Sequence, residues 1–213
     1  MAQLDRALAS EAEDRRFESF RARKCQSPPG TRQARDTVHE LIVTERLDLV
    51  LLEGPIEQAL LAGDRALARS VSALTLPDAL FDEQFVPFLA WKRTQVDKDS
   101  SFRPWSVRLV LLRDSGVVVG TANFHGPPGI NDTSSADAAE FGYAIFDDYR
   151  GRGFATEIAC AFLGFARREF GVKKFISGVK PDNGPSLRVN EKLGFVDTGV
   201  VADGERIFVL DCS

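Results

Sequence analysis

A short glycine-rich basic segment between a strand pattern and a helix pattern constrains this chain most. Residues 150–155 read Arg-Gly-Arg-Gly-Phe-Ala. The stretch before them, Phe141–Phe146, is apolar like a buried strand, and a helical pattern begins near Phe154. Glycine lets the backbone approach a ligand, and the first N–H groups of a helix have no intrahelical partner. The segment therefore predicts a cradle for a phosphate or pyrophosphate, with Arg150 and Arg152 as added cations.

The spacing of the glycines argues against two common nucleotide-binding loops. A dinucleotide fingerprint starting at Gly151 would require a third glycine where Thr156 stands. A P-loop would end in Gly-Lys followed by Ser or Thr, and this segment does not. The pattern that fits is Arg-x-x-Gly-x-Ala, at Arg150, Gly153 and Ala155. A plain glycine-rich turn before a helix is the alternative that these six residues leave open.

A second pattern lies about thirty residues further along the chain. The turn cluster 180–186 contains Asn183 and Ser186 in the spacing Asn-x-x-Ser, and Pro185 suits the first position of a helix. That short helix is predicted to end at the sequence Lys-Leu-Gly-Phe, residues 192–195. A glycine followed by an apolar residue is typical of a helix end.

Together the two patterns resemble the GNAT superfamily of N-acetyltransferases. Its coenzyme A pyrophosphate loop is written Gln/Arg-x-x-Gly-x-Gly/Ala, and Asn-x-x-Ser/Ala and Lys-x-Gly-Phe follow in the same order. The sequence Thr-Glu-Arg-Leu at residues 44–47 also resembles the opening strand of the branch that contains the ribosomal-protein N-terminal acetyltransferases. The resemblance runs from about residue 40 to the end. It implies an acetyl-CoA-dependent N-acetyltransferase, an acyltransferase in which acetyl-CoA is the donor.

Composition narrows the class of protein further. The chain has 213 residues, 44% of them hydrophobic and 27% charged, which is ordinary for a globular domain. Its net charge of −4 gives no general basic footprint for nucleic acid. Three cysteines (Cys25, Cys160 and Cys212) and two histidines (His39 and His125) lack metal-site spacing. We therefore expect a cytoplasmic protein with reduced thiols, without a metal, a membrane span or a nucleic-acid partner.

The sequence predicts two segments of different organisation, an extension over residues 1–38 and a folded domain over residues 39–213. The first segment is rich in charges of mixed sign and is expected to be a flexible or helical extension. The second is predicted to be the GNAT domain, an α/β (α+β) fold. Its central sheet is expected to be mixed and mostly antiparallel, with about seven strands and about four flanking helices. The predicted elements are one strand over 41–52, helical regions over 55–72 (with a break at Gly63) and 77–97 (kinked near Pro87), strands over 105–113, 117–124 and 140–146, a helix from 154, a strand over 175–179, a helix from 185, and strands over 195–201 and 206–211.

The resemblance also implies which residues hold the coenzyme. In GNAT proteins the strand before the pyrophosphate loop separates from its neighbour, and its free backbone groups bind the pantetheine arm. A backbone N–H near Ile145 is then the expected donor to the thioester oxyanion. The implied coenzyme-binding residues are Ile145, Phe146, Arg150, Gly151, Arg152, Gly153, Phe154, Ala155, Thr156, Asn183 and Ser186.

Two residues are candidates for proton transfer. Glu140 begins the strand that leads to the loop, where a carboxylate could take the amine proton through a water. A solvated glutamate or an arginine partner is the alternative, and Asp137 and His125 are weaker candidates for the base. GNAT enzymes often carry a tyrosine acid where this chain has Asn190, which cannot donate a proton. The resemblance instead implies Ser186 as the donor to the thiolate, and a first-turn helix residue is the alternative role.

The sequence leaves the acceptor open. A small-molecule amine and a protein N-terminus are both compatible with the resemblance, and so are a monomer and a homodimer. A coenzyme A-binding sensor or regulatory domain without turnover is the alternative from another class. A third interpretation is a nucleotide-binding α/β protein, which would bind ATP or NAD more tightly than acetyl-CoA.

Overall fold

The computed structural model describes residues 41–72 and 74–213, so the predicted extension over 1–38 lies outside the described residues. One eight-stranded sheet in the order β1-β2-β3-β4-β5-β6-β8-β7 organises this part of the chain. Every neighbouring pair is antiparallel except β5 and β6, which are parallel. The strands are β1 (Leu41–Val43), β2 (Leu47–Leu51), β3 (Arg108–Leu112), β4 (Val118–Phe124), β5 (Ala138–Ile145), β6 (Lys174–Val179), β7 (Val196–Ala202) and β8 (Glu205–Asp211).

Helices cover both faces of the sheet. Neighbouring residues of one strand point to opposite faces, and in β3 Val110 belongs to one buried cluster while Leu109 belongs to the other. The Val110 cluster contains the buried faces of α4 and α5, and the Leu109 cluster contains those of α1 to α3. The α-helices are α1 (Gly54–Leu61), α2 (Arg65–Ser70), α3 (Phe85–Lys98), α4 (Phe154–Phe170) and α5 (Gly184–Leu193).

The predicted fold class and most elements are confirmed. Gly63, at a φ of 67°, does separate α1 from α2. Gly171, at a φ of 70°, ends α4. Three short 3-10 helices, Asp78–Phe81, Ser100–Trp105 and Asp147–Tyr149, complete the connections. None of the helices in the described ranges has the length and apolar content needed to cross a bilayer.

The prediction of one strand over residues 41–52 was wrong. The chain turns back between β1 and β2, where the Leu47 N–H donates to Thr44 Oγ1 (2.9 Å) and the Thr44 N–H donates to Leu47 O (2.8 Å). A threonine hydroxyl that satisfies nearby backbone groups favours a turn over a continuous strand. This hairpin accounts for an eighth strand where about seven were expected.

The predicted kink near Pro87 was also wrong. The break falls before it, where Asp82 Oδ1 accepts from the N–H groups of Gln84 (3.0 Å) and Phe85 (2.6 Å). Helix α3 starts at Phe85, so Pro87 lies in its first turn, where the missing N–H of proline costs nothing.

Gly120 in β4 provides a test of the strand packing. A Cβ on Gly120 would lie 2.2 Å from the carbonyl oxygen of Ala144 in β5, a main-chain atom that cannot move aside alone. We expect Gly120→Ala to lower the free energy of unfolding by about 1–3 kcal/mol, the usual cost of overpacking. Gly142→Ala is the matched control, because its Cβ would lie 3.7 Å from the nearest atom of Asn123. Urea unfolding followed by circular dichroism measures both, and equal midpoints would contradict the packing described.

Candidate functional site

The parallel pair β5–β6 is joined over only three residues. Ala138, Ala139 and Glu140 pair with Lys174, Phe175 and Ile176, whereas β5 continues to Ile145 and β6 to Val179. Beyond the joined part, β5 pairs only with β4, and β6 pairs only with β8, among the strands described. The two strands therefore separate after Glu140 and leave an opening inside the sheet, which we call the β5–β6 gap.

The register of β5 directs alternate backbone groups into this gap. The His125 N–H donates to Glu140 O (2.7 Å), and the Phe146 N–H donates to Val119 O (3.0 Å). In an antiparallel pair, hydrogen-bonded and non-hydrogen-bonded positions alternate. Even-numbered residues of β5 therefore bond to β4, while Tyr143 and Ile145 direct their N–H groups toward the gap. The predicted Ile145 amide faces the gap, whereas the N–H of Phe146 is taken by β4.

The glycine-rich segment follows the far end of the gap. Gly151 and Gly153 have φ values of 75° and 78°, in the left-handed region that glycine adopts without strain. Helix α4 begins at Phe154, and the Glu157 N–H donates to Gly153 O (3.2 Å) as the first bond of the helix. The N–H groups of Phe154, Ala155 and Thr156 precede that bond and have no intrahelical acceptor. The helix N-terminus thus offers donors where the sequence predicted a phosphate cradle.

The two predicted arginines of the loop fold back on their own segment. Arg150 Nε donates to Ile145 O (3.0 Å), and its Nη2 lies 2.8 Å from the Asp147 carboxylate. Arg152 Nη2 donates to the carbonyl of Asp148 (2.8 Å), and the guanidinium lies over the Tyr149 ring. Both cations therefore also brace the loop.

Sequence reasoning missed a third cation, Arg46, in the turn between β1 and β2. Its Nε donates to Glu157 Oε2 (2.7 Å), and its Nη1 donates to Arg152 O (3.0 Å). Its guanidinium also covers the Phe154 ring at 4.7 Å. The Arg46 N–H (2.9 Å) and the Thr44 hydroxyl (2.6 Å) both donate to Glu157 Oε1. The sequence signal at this position was Thr-Glu-Arg-Leu, residues 44–47. That pattern indicated a strand, and it did not indicate the contact between Arg46 and Glu157.

Ser186 lies in the first turn of α5 and contacts Tyr143 of β5. The Tyr143 hydroxyl is 3.3 Å from Ser186 Oγ, and burial raises the pKa of Tyr143 while the bond to Ser186 opposes that rise. Asn183 Oδ1 accepts from the Ser186 N–H (3.2 Å) and so caps α5. Asn190 follows one turn later on the same face. It is 1% exposed, and its Nδ2 has no hydrogen-bond partner within the described residues.

Glu140 stands where the gap begins and is 2% exposed. Its Oε2 accepts from the Asp132 N–H (2.8 Å) and lies 3.3 Å from His125 Nδ1. Its Oε1 faces β6, since a Cβ on Gly178 would lie 3.5 Å from it. An arginine partner was the alternative considered for Glu140, and these contacts involve a histidine and a main-chain N–H instead.

The two weaker candidates for the base behave differently. Asp137 is exposed, and its Oδ2 accepts from Lys174 Nζ (2.8 Å), a bond that holds the pKa of Asp137 below its usual value. His125 instead joins Glu140 and Asp132, with potential ligand atoms of all three within 4.8 Å of one another. Glu140 Oε2 already accepts a main-chain hydrogen there, and the pKa of Asp132 is raised, first by burial and then by the nearby Glu140 carboxylate.

A buried lysine fixes the end of β4 beside this cluster. Lys92 of α3 is 3% exposed, and its Nζ donates to the carbonyls of Phe124 and His125 (2.9 Å to the latter). Its ammonium lies 5.1 Å from the Trp91 ring. Burial lowers the pKa of Lys92 from 10.5 to about 7. No pattern in the sequence indicated that this lysine would lie in the interior.

The comparisons with known proteins agree with this geometry. A model of the family described as "Acetyltransferase (GNAT) domain" matches residues 54–196, about two thirds of the chain. The chain belongs to this GNAT acetyltransferase family, as the sequence patterns predicted.

Relatives with curated names point the same way. One is the SPbeta prophage-derived uncharacterized N-acetyltransferase YokL of Bacillus subtilis (strain 168), 32% identical over 111 residues. That match covers 51% of this chain and 55% of YokL. The chain spans about half the length of the curated relatives it matches.

Solved structures share the fold at low identity. A putative ribosomal-protein-serine acetyltransferase from Vibrio cholerae has a TM-score of 0.53 at 18% identity, over 80% of this chain and 97% of that one. The microcin C7 self immunity acetyltransferase MccE, solved in complex with acetyl-CoA and AMP, has a TM-score of 0.52 at 13% identity, over 79% of this chain and 93% of that one. These likenesses establish the architecture of the described domain.

The buried lysine makes stability depend on pH in a specified direction. Between pH 7 and 10.5 the unfolded chain holds a proton on Lys92 that the folded chain has lost, so stability rises with pH. At about 1.4 kcal/mol per pKa unit the full effect is at most about 5 kcal/mol. We expect the free energy of unfolding of the wild type, minus that of Lys92→Met, to increase from pH 7 to 9.5. Urea titrations at several pH values measure it, and a constant difference would contradict a lowered pKa for Lys92.

Proposed function

We propose that this protein transfers the acetyl group of acetyl-CoA to a primary amine by direct attack of the amine on the bound thioester. The observation that carries the proposal is the β5–β6 gap, which leads from a buried carboxylate to a helix N-terminus with left-handed glycines. An extended arm with amides and a pyrophosphate at one end matches these two features in order. The fold shared with MccE, which was solved with acetyl-CoA, supports this choice of ligand.

The pantetheine arm would lie along β5 in the gap. Its amides can pair with the backbone groups of Tyr143 and Ile145, in the way that an added strand completes a sheet. Ile145 is the residue nearer the loop, so its amide suits the arm close to the pyrophosphate. The amide of Tyr143 is nearer to Glu140 by about 7 Å, at roughly 3.3 Å per strand residue. The resemblance implies the N–H of Ile145 as the donor to the thioester oxyanion, and its distance from Glu140 favours the N–H of Tyr143 instead.

The pyrophosphate would bind at the N-terminus of α4. The backbone N–H groups of residues 154–156 and the helix dipole favour negative charge there. Arg150 and Arg152 are mostly exposed at the loop and can exchange a bond to their own segment for one to phosphate. Arg46 is held against Gly153 and Phe154 by Glu157, which adds a cation that does not have to move.

Acid–base chemistry would come from opposite sides of the gap. Glu140 with His125 supplies a basic group where the strands separate, and Ser186 with Tyr143 supplies hydroxyls on the side of α5. The amine loses a proton to the first group while the C–N bond forms. The thiolate that leaves when the C–S bond breaks takes a proton through Ser186. The amide of Asn190, whose Nδ2 has no hydrogen-bond partner among the described residues, would donate a hydrogen bond to the same sulfur, a role that asparagine can fill where it cannot act as an acid.

For the acceptor we propose a protein N-terminus or a small-molecule amine. The Vibrio cholerae protein with the same fold is described as a putative ribosomal-protein-serine acetyltransferase, which supports a protein N-terminus as the acceptor. A small-molecule amine is an equally good candidate for the acceptor, because MccE has the same architecture and is described as a self immunity acetyltransferase. A coenzyme A-binding domain without turnover is the alternative function, and the absence of a tyrosine at position 190 is the observation that favours it.

Thiol release tests the proposal directly. The protein is mixed with acetyl-CoA and, in turn, spermidine, kanamycin and peptides beginning with Ser or Ala. We expect release of coenzyme A thiol with at least one amine, together with a matching acetylated product by mass spectrometry. Tight acetyl-CoA binding with neither product nor thiol would favour the sensor, and protection from thermal unfolding by ATP or NAD but not acetyl-CoA would contradict the proposal.

Gly153→Val tests whether the loop holds the coenzyme. A side chain there forces a strained left-handed backbone and meets the Arg46 guanidinium at 3.5 Å. We expect the variant to lose the rise in melting temperature that acetyl-CoA gives the wild type, a rise worth about 2.7 kcal/mol at a hundred times the dissociation constant. Gly171→Val is the matched control, since Gly171 has a φ of 70° at the other end of α4. Retained protection in Gly153→Val, or equal loss in both variants, would remove the loop from the site.

A further inference from the structure

The residue predicted as the base is poorly placed to meet an incoming amine. Glu140 is 2% exposed, while the side chain of the adjacent His125 is 36% exposed. Glu140 Oε2 is engaged by the Asp132 N–H at 2.8 Å and faces His125 Nδ1 at 3.3 Å. A group that takes a proton from a bound substrate must come within hydrogen-bond reach of it, directly or through one water. Of the two side chains, His125 satisfies that requirement better.

The orientation of the His125 imidazole gives its two ring nitrogens different roles. Nδ1 is the ring nitrogen that lies 3.3 Å from Glu140, and because a carboxylate only accepts, the neutral ring is expected to carry its hydrogen on Nδ1. Nε2 then holds the lone pair and points away from Glu140. Asp132 Oδ1 lies 3.9 Å from the same Nδ1, so two carboxylates stand on the side of the ring where positive charge would be stabilised.

Several contacts hold this pair in place. Lys92 Nζ donates to the carbonyl of His125, and the His125 N–H donates to Glu140 O, so the histidine backbone is held from both α3 and β5. A narrow surface crevice adjoins the exposed side of His125, lined also by Lys92, Phe102, Trp105, Ser106 and Gly126.

We propose that His125 is the catalytic base, that Nε2 takes the proton of the amine, and that Glu140 is its positioning residue. This inference rests on the proposed acetyl transfer and names the atom that performs one of its steps. The amine nitrogen forms the C–N bond as its proton passes to Nε2, and the imidazolium is stabilised by Glu140 across Nδ1. The C–S bond then breaks, the thiolate is protonated from the side of Ser186, and the imidazolium returns its proton to water.

Two substitutions test whether His125 or Glu140 contributes more to kcat. We expect His125→Ala to lower kcat by about 100-fold or more with unchanged acetyl-CoA affinity, since general bases contribute about 10²–10⁴ in rate. Glu140→Gln keeps the shape of the side chain beside Nδ1 and removes only its negative charge, so it should lower kcat only about tenfold. Asp137→Asn is the control, because this nearby carboxylate pairs with Lys174 and should keep the wild-type rate. Thiol release with acetyl-CoA and the amine panel measures all three.

Chemical rescue separates catalysis from folding. Imidazole added to His125→Ala should restore kcat in proportion to its concentration, and thermal unfolding checks that the variant is folded. A larger loss in Glu140→Gln than in His125→Ala, without imidazole rescue, would overturn the inference and return the base to Glu140. Wild-type kcat in both variants would remove both residues from the reaction while leaving acetyl transfer standing. No thiol release from the wild type would instead be a failure of the proposed function.

Nitrogen-15 NMR of histidine tests the His125–Glu140 pair in the absence of an acceptor amine. The chain has two histidines, so His39→Gln leaves His125 as the only labelled ring. We expect the neutral ring to carry its hydrogen on Nδ1, and Glu140→Ala to shift it toward Nε2. A ring protonated on Nε2 in the parent protein would overturn the inference. Coordination of added Zn²⁺ by His125 at micromolar concentration, with a rate that EDTA abolishes, would also overturn it in favour of a metal site.

Discussion

The short pairing of β5 with β6 is the feature on which the site depends. Three residue pairs join these strands, and beyond Glu140 each strand keeps its other neighbour while the shared edge opens. Backbone amides inside a sheet normally have partners, so N–H groups that face an opening are available to a ligand. The gap thus joins the buried carboxylate of Glu140 to the α4 N-terminus through amides of β5 that have no strand partner among the described residues. A sheet closed at this point would leave the glycine loop without a route to Glu140.

Glu157 connects the N-terminus of α4, which follows the far end of the gap, to the rest of the fold. It receives hydrogen bonds from Thr44, from the Arg46 backbone and from the Arg46 side chain, so the turn between β1 and β2 is tied to the first turn of α4. Arg46 in turn bonds to the carbonyl of Arg152. A carboxylate in the first turn of a helix is itself favoured by the dipole. The arrangement holds a cation beside the predicted phosphate cradle and ties the glycine-rich loop to the turn between β1 and β2.

Local patterns in the sequence predicted most of this architecture. The patterns over residues 140–146, 150–155 and from 154 onward predicted β5, the glycine-rich loop and α4, because the glycines, arginines and apolar spacing are close together in the chain. The contacts of Arg46 with Glu157 and of Lys92 with the end of β4 join residues far apart in sequence, so no short pattern indicated them. The same holds for His125, which looked like a lone histidine until β4 and β5 placed it beside Glu140. The turn at Thr44 was missed because a continuous apolar run predicts one strand whether or not a side chain interrupts it.

Amide hydrogen exchange by NMR tests most directly whether the gap holds the coenzyme arm. The N–H groups of Tyr143 and Ile145 face the gap, whereas the N–H of Ala144 faces β4 in the same strand. Bound acetyl-CoA should slow exchange at Tyr143 and Ile145 by at least tenfold and leave Ala144 within the general change of the domain. Unchanged exchange at both gap-facing amides under saturating acetyl-CoA would show that the thioester arm lies elsewhere.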